Sequence, residues 1–152
     1  MVRKIIHSFK YSGNVAITKL LAKSLYLELN KELRTGGYQA IVPVPLHWFK
    51  HLTRGYNQAE LVAGELSKLS GIPWCNLLVR CKWTLPQARL NRKQRMTNLK
   101  NAFKIKKSPK REFSSILLLD DVFTTGSTVE ACSNTLISNG INRVDIITLA
   151  HG

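Results

Sequence analysis

The chain has 152 residues, the length of one ordinary domain, enough to bury about two-thirds of the surface its unfolded form exposes without disulfide or metal staples. Its 44% hydrophobic and 21% charged residues make a globular balance, and no apolar run approaches the roughly 20 residues of a bilayer span, which excludes membrane-inserted and disordered classes. The formal net charge of +14, from 23 basic against 9 acidic residues, is more than an enzyme of neutral metabolites needs and points to anionic partners.

The start, Met1-Val-Arg-Lys-Ile-Ile-His, lacks the apolar core and small-residue cleavage site of a signal peptide, so the chain reads as cytoplasmic. A first helical region is predicted over Val2 to Tyr11 and a longer one over Asn14 to Leu33, where Leu21, Leu25, Leu29 and Leu33 recur every fourth residue. Gly36-Gly37 breaks the pattern, and Tyr38-Gln-Ala-Ile-Val-Pro-Val-Pro reads as a short buried strand ending at prolines, which cannot continue a central ladder. The polar loop His47 to Gly55 follows. Asn57 is placed to cap a helix through Ser70, with Ala59, Leu61, Val62, Leu66 and Leu69 on its apolar side and Gly71 as the stop.

Asn76 to Cys81 is a weak strand, Lys82 to Lys100 a mobile loop or an exposed helix, and Ala102 to Lys106 a short alternating strand. No acid occurs from Leu66 to Arg111, while thirteen basic residues run from Lys68 to Arg111. Such a tract reads either as a solvated face or as a surface for a phosphorylated ligand, nucleic acid or both. The aromatic residues in and near the basic segments, Trp48, Phe49, Tyr56, Trp83 and Phe103, serve packing or base stacking. Three cysteines, Cys75, Cys81 and Cys132, form no CxxC pair and read as small buried apolar residues. His47 and His51 lack a third metal ligand.

The clearest pattern comes last. Ser115-Ile-Leu-Leu-Leu is a continuous apolar strand, Asp120 to Gly126 a polar turn, Ser127 to Asn139 a helix stopped by Gly140, and Asn142 to Leu149 another strand. Buried strands alternating with helices predict a single α/β domain over residues 1–152, with a mainly parallel sheet covered on both faces and a small hood near residues 76–106. The apolar strand carries Asp120 and Asp121 to the carboxyl edge of the sheet, where open α/β folds bind ligands. Two carboxylates there accept hydrogen bonds from vicinal sugar hydroxyls and help hold hydrated magnesium. Thr124, Thr125, Gly126, Ser127 and Thr128 then surround a helix N-terminus, whose amides and hydroxyls cradle a phosphate while Gly126 permits the turn. Sugar hydroxyls beside a phosphate mean a ribose 5-phosphate.

The run Leu117-Leu118-Leu119-Asp120-Asp121-Val122-Phe123-Thr124-Thr125-Gly126-Ser127-Thr128 resembles the phosphoribosyl pyrophosphate (PRPP) motif of the type I phosphoribosyltransferases. The resemblance extends over nearly the whole chain to the competence protein F (ComF) branch. It is carried by Phe9-Lys10-Tyr11 with Gly13, Val42-Pro43-Val44-Pro45-Leu46, Arg54-Gly55-Tyr56-Asn57-Gln58-Ala59, Gln87 with Leu90, Arg95 with Asn98, and Ala102-Phe103.

This resemblance implies the type I phosphoribosyltransferase fold, with PRPP as ligand and Mg2+ bound alongside it near Asp120 and Asp121 rather than at a separate protein metal site. It makes Asp120 and Asp121 the candidate catalytic pair on the ribose hydroxyls, and Thr124, Thr125, Gly126, Ser127 and Thr128 the 5-phosphate loop. Val44, Pro45, Leu46 and His47 fall where the family binds pyrophosphate, with Arg54 as the side chain completing that subsite or a plain surface arginine. Arg89, Arg92, Lys93 and Arg95 fall on the flexible lid, as closing cations, a DNA-binding surface or a solvated face. Val122 and Phe123 line a base pocket or serve the core. Whether transfer to a base follows binding stays open, as does a non-catalytic PRPP-sensing role. The family further implies natural transformation, with single-stranded DNA and other DNA-uptake proteins as partners in the cytoplasm. Longer members carry an N-terminal four-cysteine zinc ribbon, and this chain begins after that module's place; it is a naturally short member, or the ribbon is removed or supplied elsewhere.

Overall fold

The computed structural model describes residues 15–46, 55–81, 102–106, 113–123 and 125–151. Helices α1 (Val15–Glu28) and α2 (Asn30–Thr35) lead into strand β1 (Ala40–Pro43), and helix α3 (Gln58–Ser70) follows. Strands β2 (Leu78–Arg80) and β3 (Phe103–Ile105) precede β4 (Ser115–Phe123), helix α4 (Ser127–Ile137) and β5 (Arg143–His151). Strands β1, β4 and β5 form a parallel sheet in that order, with Pro43 in register with Leu119 and Phe123 with His151. Trp74 adds a parallel bridge to Ile41 on the outer side of β1. Strands β2 and β3 form a separate antiparallel ribbon, the hood.

Alternation along the strands builds two cores, because successive side chains leave opposite faces of a sheet. Ala40, Val42, Ile116 and Leu118 pack with Val129, Cys132 and Leu136 of α4 and with Leu78 and Phe103 of the hood. Ile41, Leu117 and Leu119 pack with Ala22, Leu33 and the Ala59, Val62, Ala63 and Leu66 stripe of α3. A parallel sheet covered on both faces is therefore the architecture, as the continuous apolar strands predict.

The structure divides the long predicted helix at Leu29, whose backbone leaves the helical region at φ −106°, ψ 16°. A residue repeating every four positions drifts about 40° per step around an ideal helix, so a straight rod would turn Leu33 about 120° away from Leu21. The break returns Leu33 to the core, where it is buried. Helix α3 starts and stops as expected. The Asn57 side chain caps Ala59 N, and Gly71 closes the helix in the left-handed region at φ 75°. Leu61 and Leu69, expected on its apolar side, are exposed, while Ala63 and Gln58 are buried instead.

Strand β4 is longer than its apolar run suggests: Asp120 and Asp121 belong to the strand, not to a turn. The ladder to β5 carries them, pairing Asp120 with Thr148, Val122 with Ala150 and Phe123 with His151. The last turn beyond α4 tightens through Asn139 N to Leu136 O and Gly140 N to Ile137 O before Gly140 turns left-handed at φ 93°. Of the cysteines expected to be buried, only Cys132 is; Cys75 is half-buried and Cys81 exposed. At the sheet's amino edge, Arg143 bonds Gly36 O at 2.9 Å and Asp145 Oδ2 at 2.5 Å, and Tyr38 donates to the same carboxylate. The hydrogen bond from Arg143, then that from Tyr38, holds the Asp145 carboxyl below its ordinary value. The predicted helix over residues 2–11, most of the 47–55 loop and the 82–100 segment lie outside the described residues.

Candidate functional site at the carboxyl edge of the sheet

Three segments that the sequence singled out meet at the carboxyl ends of the strands. The first is the end of β4. Asp120 continues the face of Ile116 and Leu118, which carries α4 and the hood, and Asp121 continues the face of Leu117 and Leu119, which carries α1 and α3. Both side chains are partly buried, and Asp121 N donates to Asp120 Oδ1 at 2.8 Å. The electrostatic influence of Asp120 on Cys132 of α4 agrees with this facing.

The second segment is Val44–Pro45–Leu46, which extends the line of β1 past its last ladder residue. Val44 N donates to Leu119 O at 2.8 Å, so the segment runs beside Asp120. Val44 is buried and Pro45 and Leu46 are partly exposed. The third is the start of α4. Gly126 caps the helix from the left-handed region at φ 74°, a conformation that costs glycine nothing and strains any other residue. Glu130 N closes the first turn on Gly126 O at 2.9 Å, and the Thr125 and Ser127 hydroxyls lie 3.0 Å apart. Ser127 is buried and Thr128 partly buried. A helix of 11 residues with hydroxyls at its positive end is suited to an anion.

Among the described residues no group of three or more His, Cys, Asp or Glu gathers around a common point. The donor chemistry still fits magnesium brought in with a ligand, since that ion is commonly held by one or two carboxylates plus ligand phosphate oxygens. Asp120 and Asp121 are the residues that would hold it. Cys132, near Asp120, offers no nucleophile: burial pushes its thiol well up, Asp120 adds to this, and Arg80 only partly opposes it.

Sequence reasoning missed two residues near the site. Arg80, at the end of β2, sits with its guanidinium 5.5 Å over the Phe103 ring, and burial lowers its pKa. A lone cation ending Leu77-Leu78-Val79 was the available signal. Asn57, read as a cap and as part of the Arg54–Ala59 stretch of the resemblance but given no role at the site, also donates from Nδ2 to Val44 O at 3.0 Å, tying α3 to the loop after β1. Thr124, His47, Arg54, Arg89, Arg92, Lys93 and Arg95 lie outside the described residues. No helix among those described is long and apolar enough to cross a membrane.

No family model matches the chain. It is 41% identical over 152 residues to competence protein F of Haemophilus influenzae, covering 96% of this chain and 66% of that protein. It is 35% identical over 146 residues to the DNA utilization protein YhgH of Escherichia coli, covering 93% of this chain and 63% of that one. The chain thus spans a little under two thirds of the length of these curated relatives. Among solved structures, an adenine phosphoribosyltransferase superposes with a TM-score of 0.61 at 14% identity, over 91% of this chain and 72% of that one. That likeness is one of fold, and the parallel sheet flanked by helices is the fold of the type I phosphoribosyltransferases. The chain belongs to the competence protein F family, and its architecture is phosphoribosyltransferase-like.

Proposed function

We propose that the chain is a magnesium-dependent PRPP-binding domain that acts in the cytoplasm in the handling of incoming single-stranded DNA. The observation that carries the ligand reading is the meeting of Val44–Leu46, Asp120–Asp121 and the Thr125–Thr128 helix start at one edge of the sheet. Each meets one part of PRPP. The amides and hydroxyls before α4 receive the 5-phosphate, the carboxylates accept from the ribose hydroxyls, and the loop after β1 faces the pyrophosphate. Bound with PRPP, magnesium supplies positive charge against the pyrophosphate. No protein nucleophile is needed, because an incoming base would attack the anomeric carbon as pyrophosphate departs. A binding-only sensor differs from an enzyme in one respect: it releases no pyrophosphate whatever base is supplied.

Calorimetric titration tests the reading. PRPP is expected to bind in the presence of magnesium and at least tenfold more weakly after chelation of the metal. Absence of binding under both conditions would sink it.

The DNA reading rests on charge. The acid-free stretch from Leu66 to Arg111 includes Lys104 and Lys106, which the hood exposes to solvent, and the resemblance adds Arg89, Arg92, Lys93 and Arg95. A relative's name, DNA utilization protein, supports the same direction. Single-stranded DNA affinity should fall steeply with salt, with a logarithmic slope of roughly −0.7 per phosphate neutralised. Replacing Lys104 and Lys106 by alanine is expected to reduce the slope by about 1.4. A salt-independent affinity would refute the electrostatic interface.

A further inference from the structure

Asn57 stands immediately before α3 with an extended backbone and is 3% exposed. Its carboxamide makes three contacts. Oδ1 accepts from Ala59 N at 3.1 Å, while Nδ2 donates to Val44 O at 3.0 Å and to Glu60 Oε1 at 3.2 Å. The first contact is an ordinary helix cap, which serine, threonine or aspartate supplies as well. The second is different in kind. It needs a donor, which aspartate lacks when ionised, and it reaches thirteen positions back to the residue that follows β1.

Both polar backbone groups of Val44 are thereby anchored. Its N–H is held by Leu119 O, one residue before Asp120, and its carbonyl by the buried Asn57 amide. Pro45, next in line, has no N–H to offer. A carbonyl oxygen turned toward a diphosphate would repel it, whereas one captured by a buried amide is held away from the ligand. Capping alone gives no reason for an amide to reach this carbonyl.

We infer that Asn57 is a positioning residue for the diphosphate loop: its Nδ2 turns the Val44 carbonyl into the protein and so keeps that oxygen from facing an anion bound beside Val44–Leu46. The inference rests on the PRPP reading of the same site and adds to it the residue that orients the loop.

The test compares binding of inorganic pyrophosphate with magnesium by wild type, Asn57→Asp and Asn57→Ser at pH 8.0 and pH 5.5. Both variants retain a capping oxygen. At pH 8.0 both are expected to bind pyrophosphate roughly tenfold or more weakly than wild type, about the loss of one hydrogen bond to a positioned group. Among the described residues Glu60 is the titratable group bonded to this side chain. Burial and that neighbour raise the pKa of the carboxyl introduced by Asn57→Asp, the Ala59 N–H and the helix start lower it, and acidification below that pKa protonates it and restores a donor. The ratio of Asn57→Asp affinity to wild-type affinity should therefore rise toward one at pH 5.5, the protonation of pyrophosphate itself cancelling in the ratio. The Asn57→Ser ratio should stay low.

A helix cap acting only through stability does not produce that rescue. If wild type binds pyrophosphate and Asn57→Ser binds it equally well, the positioning role is overturned while the site reading stands. A ratio for folded Asn57→Asp that ignores pH overturns it likewise. If wild type binds neither pyrophosphate nor PRPP, the site reading falls, and this inference falls with it. Should Asn57→Asp fail to fold, Asn57→Ser alone decides the question through its affinity at pH 8.0.

Discussion

A chain carrying both Asp120→Asn and Asp121→Asn is expected to bind PRPP at least about 30-fold more weakly than wild type while remaining folded. Hydrogen bonds from sugar hydroxyls to carboxylates are charge-assisted and contribute roughly 1.5–3 kcal/mol each. Asparagine oxygens still accept, but through neutral bonds of roughly 0.5–1.5 kcal/mol, so loss of charge at two acceptors removes about 2–3 kcal/mol, or roughly 30- to 150-fold in affinity. Magnesium held with the ligand loses the same carboxylates, which adds to the effect. Folding should survive because the substitution keeps the shape, and an asparagine oxygen at position 120 can still accept from Asp121 N as Oδ1 does now at 2.8 Å. Calorimetry with PRPP and magnesium, beside thermal unfolding of the same samples, separates the two effects. Affinity within threefold of wild type would remove these residues from the ribose site.

Replacing Leu118 by alanine is expected to cost roughly 2–5 kcal/mol of stability, a large share of the about 5–15 kcal/mol that holds an ordinary domain folded. Leu118 is fully buried on the central strand, packed in one cluster with Val42, Phe103, Val129, Cys132 and Leu136. It therefore sits where β1, the hood and α4 all press on the sheet, and none of these can close the gap without leaving another contact. The urea midpoint should drop by roughly 1–2 M with little change in slope. Leu20, 58% exposed on α1, is the matched control, and its replacement by alanine should fall within about 0.5 kcal/mol of wild type. Equal costs for the two would mean that the core does not rest on β4. The same strand carries Asp120 and Asp121, so slippage of β4 would move the site as well.

The elements that could be read in advance are those whose causes are local. The four apolar residues before Asp120 make a buried strand in any fold that covers both faces, and Asn57 and Gly71 bracket α3 by capping chemistry confined to one turn. Gly126 opens α4 from a conformation that glycine tolerates best. The motif around Asp120 was legible because consecutive residues carry it.

What could not be read in advance depends on residues far apart in the chain. Asp120 and Asp121 look like a turn until β5 is present to carry the ladder past them, and the extended strand puts them on opposite faces. The four-residue leucine repeat looks like one helix until the sheet requires Leu33 to face it, which the break at Leu29 achieves. Asn57 is a complete cap by local criteria, and only the return of the chain brings Val44 within reach of its second donor. Composition, periodicity and capping thus dictated which segments are strands or helices and which residues are candidates for the chemistry. Packing dictated where each strand stops, which face each acid takes and which carbonyl is turned inward, because those outcomes depend on contacts between residues that become neighbours only when the sheet closes.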